Sequence, residues 1–137
     1  MLKCLTRAVF GYYLCEKSNT MTSKQEVQKF LYQFHEKCQV YDIVFRDDRG
    51  ENLQALVELG ITANYRLTVI KSIKVEDYSE GPIVDALNKY GDMWVFGKDI
   101  KGNEVYIKIS LGQPNNRTIC ISFHKAEYKM KYPFKNQ

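Results

Sequence analysis

Three side chains in the last third of the chain have the types and spacing to move protons and hold a negative charge: Tyr106, Lys108 and His124. Tyr106 and Lys108 stand two apart, which in an extended strand puts a phenol and an ammonium on one face. His124 closes a second stretch of the same kind, Ile121 to His124. A free imidazole titrates near about 6.5 and suits proton transfer at neutral pH. A phenol, with a reference value of about 10, serves better as an acid or hydrogen-bond donor unless nearby cations lower that value. An ammonium beside them would stabilise an anion as it forms.

The surrounding pattern says how these groups are positioned. Val105, Ile107, Ile109 and Leu111 fall on one parity, and Glu104, Tyr106, Lys108 and Ser110 on the other. A period of two marks a half-buried strand. After the turn formers Gly112, Pro114, Asn115 and Asn116, the alternation returns, with Ile119, Ile121 and Phe123 against Thr118, Cys120, Ser122 and His124. Ahead of it, Lys101-Gly102-Asn103 supplies residues that tolerate positive φ, so Met93 to Ile100 can pair back as a third strand. If the apolar parities face the core, Tyr106 and Lys108 share the opposite face with Ser122 and His124. The same composition also fits an ordinary solvated sheet face.

At 137 residues the chain is expected to form one core. Its formal net charge of +4 is unevenly spread. From Met93 to Gln137 there are eight Lys/Arg against three Asp/Glu, and from Thr22 to Asp92 nine against twelve. The sheet half is the basic half, which favours an anionic partner such as nucleic acid. Lys101, Arg117 and Lys125 are candidates for contacts to such a partner's backbone. Lys98 is a further candidate, although pairing Ile100 with Val105 would turn it toward Trp94 and Phe96. Cys4, Cys15, Cys38 and Cys120 lack CxxC or Cys/His metal spacing and read as reduced thiols of a cytoplasmic protein. With two histidines and no ligand spacing, neither a metal nor another cofactor is expected. No run of about 20 apolar residues is present to span a membrane.

Residues 1–21 read as a mobile extension or an upstream start, and 22–137 as a single domain. Ser23 and Glu26 form a capping box, and Val27, Phe30, Leu31, Phe34 and Cys38 recur at helical spacing, predicting a helix from Thr22 to about Cys38. His35 lies beside that stripe and reads as structural. Val40 to Arg46 reads as a short strand, followed by a turn at Asp47 to Gly50. Asn52 to Leu59 predicts a helix ended by Gly60; Thr62 caps another through Ile73, with Leu67, Ile70 and Ile73 on its buried side. Gly81 and Pro82 predict a loop over Asp77 to Pro82, and Ile83 to Tyr90 a helical turn or two. In the tail, AEYKMKYPFKNQ interleaves aromatics with lysines; it suits either nucleic-acid contact or packing of Tyr128, Tyr132 and Phe134 back on the domain.

Taken together, Leu59-Gly60, Asp77-Tyr78, Trp94, the Val105-Tyr106-Ile107-Lys108-Ile109 strand and Ile121-Ser122-Phe123-His124 resemble the MqsR family of toxin–antitoxin ribonucleases, within the broader RelE-like group. The resemblance runs from about Leu59 to Lys125. It implies an α+β fold in which N-terminal helices pack on a curved antiparallel sheet whose other face binds messenger RNA. It further implies metal-independent endonucleolytic cleavage, on or off the ribosome, and neutralisation by a cognate antitoxin protein. Tyr106, Lys108 and His124 would then be catalytic, and Lys98, Lys101, Arg117 and Lys125 substrate-binding. Three positions differ from the family pattern: Val95 stands where a glutamine is common, Ser79-Glu80 where a lysine is expected, and His124 where a lysine often follows Ser-Phe. The alternative is a non-catalytic module that holds RNA or an acidic protein on the same basic face.

Overall fold

Capping side chains set where two of the three described α-helices begin in the computed structural model, which describes residues 21–48, 50–87 and 91–136. The Glu26 N–H donates to Ser23 Oγ at 3.1 Å while the Ser23 N–H donates to the Glu26 carboxylate at 2.8 Å. Helix α1 (Lys24–Tyr41) follows and buries Val27, Phe30, Leu31, Phe34 and Cys38, the predicted stripe. It runs past Cys38 to Tyr41 and stops where Asp42 turns to φ 77°, its N–H held by the Cys38 carbonyl. Strand β1 is therefore only Ile43–Phe45 rather than all of Val40 to Arg46.

Helix α2 (Glu51–Leu59) ends on Gly60 in the left-handed region, and Thr62 accepts from the Tyr65 N–H at 3.0 Å to start α3 (Ala63–Lys71). Ile70 and Ile73 are buried as predicted and Leu67 is half-buried. Arg66 is also buried: its guanidinium lies 3.6 Å over the Phe45 ring and meets both carboxylate oxygens of Asp47 at 3.1 Å. The pair fastens α3 to the end of β1. Planar stacking and a two-pronged ion pair let a charged side chain take a core position.

Strands β2 (Tyr78–Ile83), β3 (Met93–Ile100), β4 (Asn103–Ser110) and β5 (Thr118–Lys125) complete a five-stranded sheet of order β1-β5-β4-β3-β2. The α+β class holds, and the meander of β3, β4 and β5 is as predicted. The wholly antiparallel sheet is not, because β1 pairs with β5 in parallel. Hairpins dictate antiparallel neighbours, whereas β1 reaches β5 only after the rest of the domain, so no turn fixes its direction. The predicted loop at Asp77 to Pro82 is instead largely strand β2. It is an edge strand with two register irregularities, the setting in which a proline without an N–H is tolerated. Ile83 ends that strand and residues 84–87 are not helical, so the helix expected over Ile83 to Tyr90 is absent from its described part. Residues 88–90, and the proposed extension up to residue 20, lie outside the described residues.

The core lies between the helices and one face of the sheet. Phe30 of α1 stacks on Trp94 of β3 at 4.7 Å, and Phe34, Phe96, Ile107, Ile109 and Phe123 complete the cluster. Each such side chain stabilises the fold by about 1.5–3 kcal/mol when fully buried. His35 is structural as predicted, its Nε2 meeting the Ile73 carbonyl at 3.0 Å. Lys101 and Gly102, with φ of 54° and 83°, form the tight turn joining β3 to β4. Among the described residues no helix is long and apolar enough to cross a membrane.

Candidate functional site

Strand β4 keeps the alternation of its sequence as far as Ile109, after which Ser110 is buried as well. Val105, Ile107 and Ile109 are wholly buried, and Tyr106 and Lys108 lie half-buried between them on the opposite face. Strand β5 does not. Phe123 opposes Ile107 and Ser122 opposes Lys108, but the next pair is Cys120 with Ile109, leaving Ile121 as an extra residue. This bulge reverses the parity, so Cys120 and Phe123 join the core while Ile119 pairs with Ser110. The expected face of Ile119, Ile121 and Phe123 is thereby corrected: only Phe123 belongs to the core cluster, while Ser122 and His124 remain beside Lys108 and Tyr106.

Asn52 of α2 holds the bulge. Its side-chain oxygen accepts from the Phe123 N–H at 2.9 Å, and its amide donates to the carbonyls of Ile121 and Arg46 at 3.1 and 2.8 Å. Beyond β1 the edge of β5 has lost its strand partner, and one buried asparagine supplies the donors and acceptor instead. Left unpaired, each such buried group would cost about 1–3 kcal/mol.

On the polar face, Tyr106 pairs directly with His124. Their rings stack at 5.2 Å with only 12° between planes, and Lys108 Nζ lies 5.9 Å from the Tyr106 ring centre. His124 Nδ1 sits 2.9 Å from the Lys125 carbonyl. A carbonyl only accepts, so Nδ1 carries a proton, which in the neutral tautomer leaves the lone pair on Nε2. Burial, and secondly the carboxylates of Glu80 and Glu127, push the Tyr106 phenol above its usual range. The cation-driven lowering allowed for in the sequence is replaced by its opposite, and Tyr106 is held as a hydroxyl able to donate.

These groups line a cleft of about 580 Å³ with Ser122, Glu80 and the segment from Glu127 to Lys131. That segment is carried by the C-terminal tail, which folds back over the polar face. Glu104 anchors it, accepting from the Met130 N–H at 3.0 Å and from the Tyr132 hydroxyl at 2.7 Å. These bonds hold the Glu104 carboxyl below the usual range. Tyr132 rests on Gly97 so closely that any Cβ there would collide with its ring. Phe134 stacks on Tyr78 at 5.4 Å, so two of the three tail aromatics pack back and Tyr128 does not.

The four basic residues expected to bind substrate are elsewhere. Lys98 is paired with Asp77 at 2.9 Å, and Lys101 donates to the Gly60 carbonyl at the end of α2 at 2.8 Å. Arg117 is exposed ahead of β5, at the end opposite His124. Lys125 is exposed, on the parity opposite His124. None lines the cleft, whose cations are Lys108, Lys129 and Lys131. Alternating lysines and aromatics in the tail were the available signal for the last two. Glu80 and Glu127 had none, since a strand at 78–83 and a folded-back tail must both exist before they meet.

Cys38 and Cys120 are free thiols buried in the fold. Burial pushes the Cys120 thiol well above its ordinary value, so it stays unreactive. Among the described residues no three His, Cys, Asp or Glu side chains gather as a metal site. Compared with protein-family models, with curated proteins and with solved structures, the chain matches none.

Proposed function

We propose that the protein is a metal-independent endoribonuclease that cuts messenger RNA through the substrate's own 2′-hydroxyl, acting in the cytoplasm as the toxin of a toxin–antitoxin pair of the MqsR-like kind its motifs resemble. The observation that carries this reading is the stacked Tyr106–His124 pair beside Lys108 in one cleft. His124 Nε2 takes the proton of the 2′-hydroxyl as that oxygen attacks phosphorus. Tyr106 donates its proton to the 5′-oxygen as the bond from phosphorus to that oxygen breaks. Lys108 stabilises the charge on the phosphorane between them. The products are a 2′,3′-cyclic phosphate and a free 5′-hydroxyl, and proton exchange with water resets both rings.

One observation favours the non-catalytic alternative. Val95 is fully buried and paired with Lys108, so an apolar group stands where the resembled family commonly has glutamine. Incubation of purified protein with single-stranded RNA in EDTA separates the two readings. Cleavage leaving 2′,3′-cyclic ends is expected, with His124→Ala lowering the rate by about 10²–10⁴-fold. RNA that is bound yet stays intact would overturn the nuclease reading.

A further inference from the structure

We infer that the loop from Ala126 to Tyr132 is the substrate-gripping wall of the cleft, with Tyr128 stacking on an unpaired base next to the reacting phosphate and Lys129 and Lys131 holding the backbone. This rests on the reading of the cleft as a site for RNA.

One residue pins the loop at three points. The Glu104 carbonyl accepts from the Ala126 N–H at 2.8 Å, and its carboxylate takes Met130 and Tyr132. A loop fixed in this way loses little further freedom when a ligand arrives, which favours binding. Its tyrosine behaves unlike the other tail aromatics: Tyr132 and Phe134 are packed, whereas Tyr128 is 83% exposed while lining the cleft. A large ring presented by a pinned backbone beside a catalytic face has no core to serve. Two of the cleft's three lysines come from the same loop, so removing the loop would leave the cleft with Lys108 as its one lysine.

Amines interleaved with an exposed aromatic ring are the chemistry of single-stranded nucleic acid, in which backbone charge is met by lysine and open bases stack on rings. A duplex keeps its bases stacked on one another and offers Tyr128 nothing. An acidic protein would use the lysines but not the ring.

The test uses a single-stranded RNA carrying 2′-O-methyl groups, which lacks the attacking hydroxyl, with affinity read by fluorescence anisotropy. Tyr128→Ala is expected to weaken binding by about 10- to 100-fold, the weight of one base–aromatic stack. Tyr128→Phe should restore affinity to within about twofold, because stacking needs the ring and not the hydroxyl. On cleavable RNA, Tyr128→Ala should raise KM and leave kcat nearly unchanged. Equal affinity of wild type and Tyr128→Ala, tighter binding of the annealed duplex, or no binding by wild type would each overturn the inference. If the strand binds through Tyr128 but cleavable RNA is never cut, the nuclease reading fails and this one stands. Should RNA be cut and Tyr128→Ala prove neutral, the reverse holds.

Discussion

Strands β4 and β5 lie side by side and divide the site between them, but they reach its face by different routes. In β4 every second residue faces the core, and Tyr106 and Lys108 point the other way by default. In β5 an extra residue at Ile121 shifts the register of Cys120 and Ile119, and the segment that carries Ser122 and His124 is tied down beside the shift at Phe123. The holding group, Asn52, belongs to a helix far away in sequence. One half of the site is thus positioned by local pleating and the other by a tertiary contact. The second half should be the more fragile of the two.

The comparison breaks hardest at the paired rings. On the proposed mechanism, His124→Ala and Tyr106→Phe each lower RNA cleavage by about 10²–10⁴-fold, and the double variant loses far less than the product of the two. Single-turnover assays with circular dichroism to confirm folding check this, and full additivity would show that the rings work separately. The next effect belongs to Asn52→Ala, which strands buried backbone groups and should cost about 1–3 kcal/mol in urea unfolding for each group left unpaired. Cleavage should fall further than the unfolded fraction explains, because β5 loses its aim while β4 does not.

A milder effect follows from acid. Glu104 has a depressed folded-state pKa, so its contribution is present above the ordinary carboxylate range and disappears as pH falls through the depressed value. The Met130 amide should lose hydrogen-exchange protection over that window, and Glu104→Gln should abolish the dependence. The smallest effect is expected from Arg117→Ala, at the far end of β5, with cleavage and stability nearly unchanged and any ΔΔG within about 0.5 kcal/mol. A large loss there would mean that the substrate path runs the whole length of the strand.

What the residues alone disclosed follows the range of the forces that act on them. Ser23 with Glu26, Gly60 and Thr62 announce their helix ends because a cap is a matter of a few neighbouring atoms. The β3–β4 hairpin was legible for the same reason, its turn and alternation being local. Tyr106, Lys108 and His124 were brought to one cleft as expected. Other features depend on distant parts of the chain. The bulge at Ile121 leaves the apolar pattern of β5 looking regular, and Asn52 resembles any helix-surface amide until β5 lies beneath it. Pro82 argued for a loop because nothing nearby says that β2 is an edge strand. The four candidate basic residues lie outside the cleft for a related cause. Charge counting locates a half of the molecule, whereas Lys98 and Lys101 are engaged by Asp77 and Gly60.

Gly97 carries a last consequence. The tail can cross the sheet only because position 97 has no side chain for Tyr132 to strike. Adding a single methyl group at that spot, which pairs with Tyr106, would evict the tyrosine from its seat and turn a roofed groove into an open trough. Gly97→Ala is therefore a switch that separates what the roof does from what the floor does, with Tyr106, Lys108 and His124 all kept in the chain.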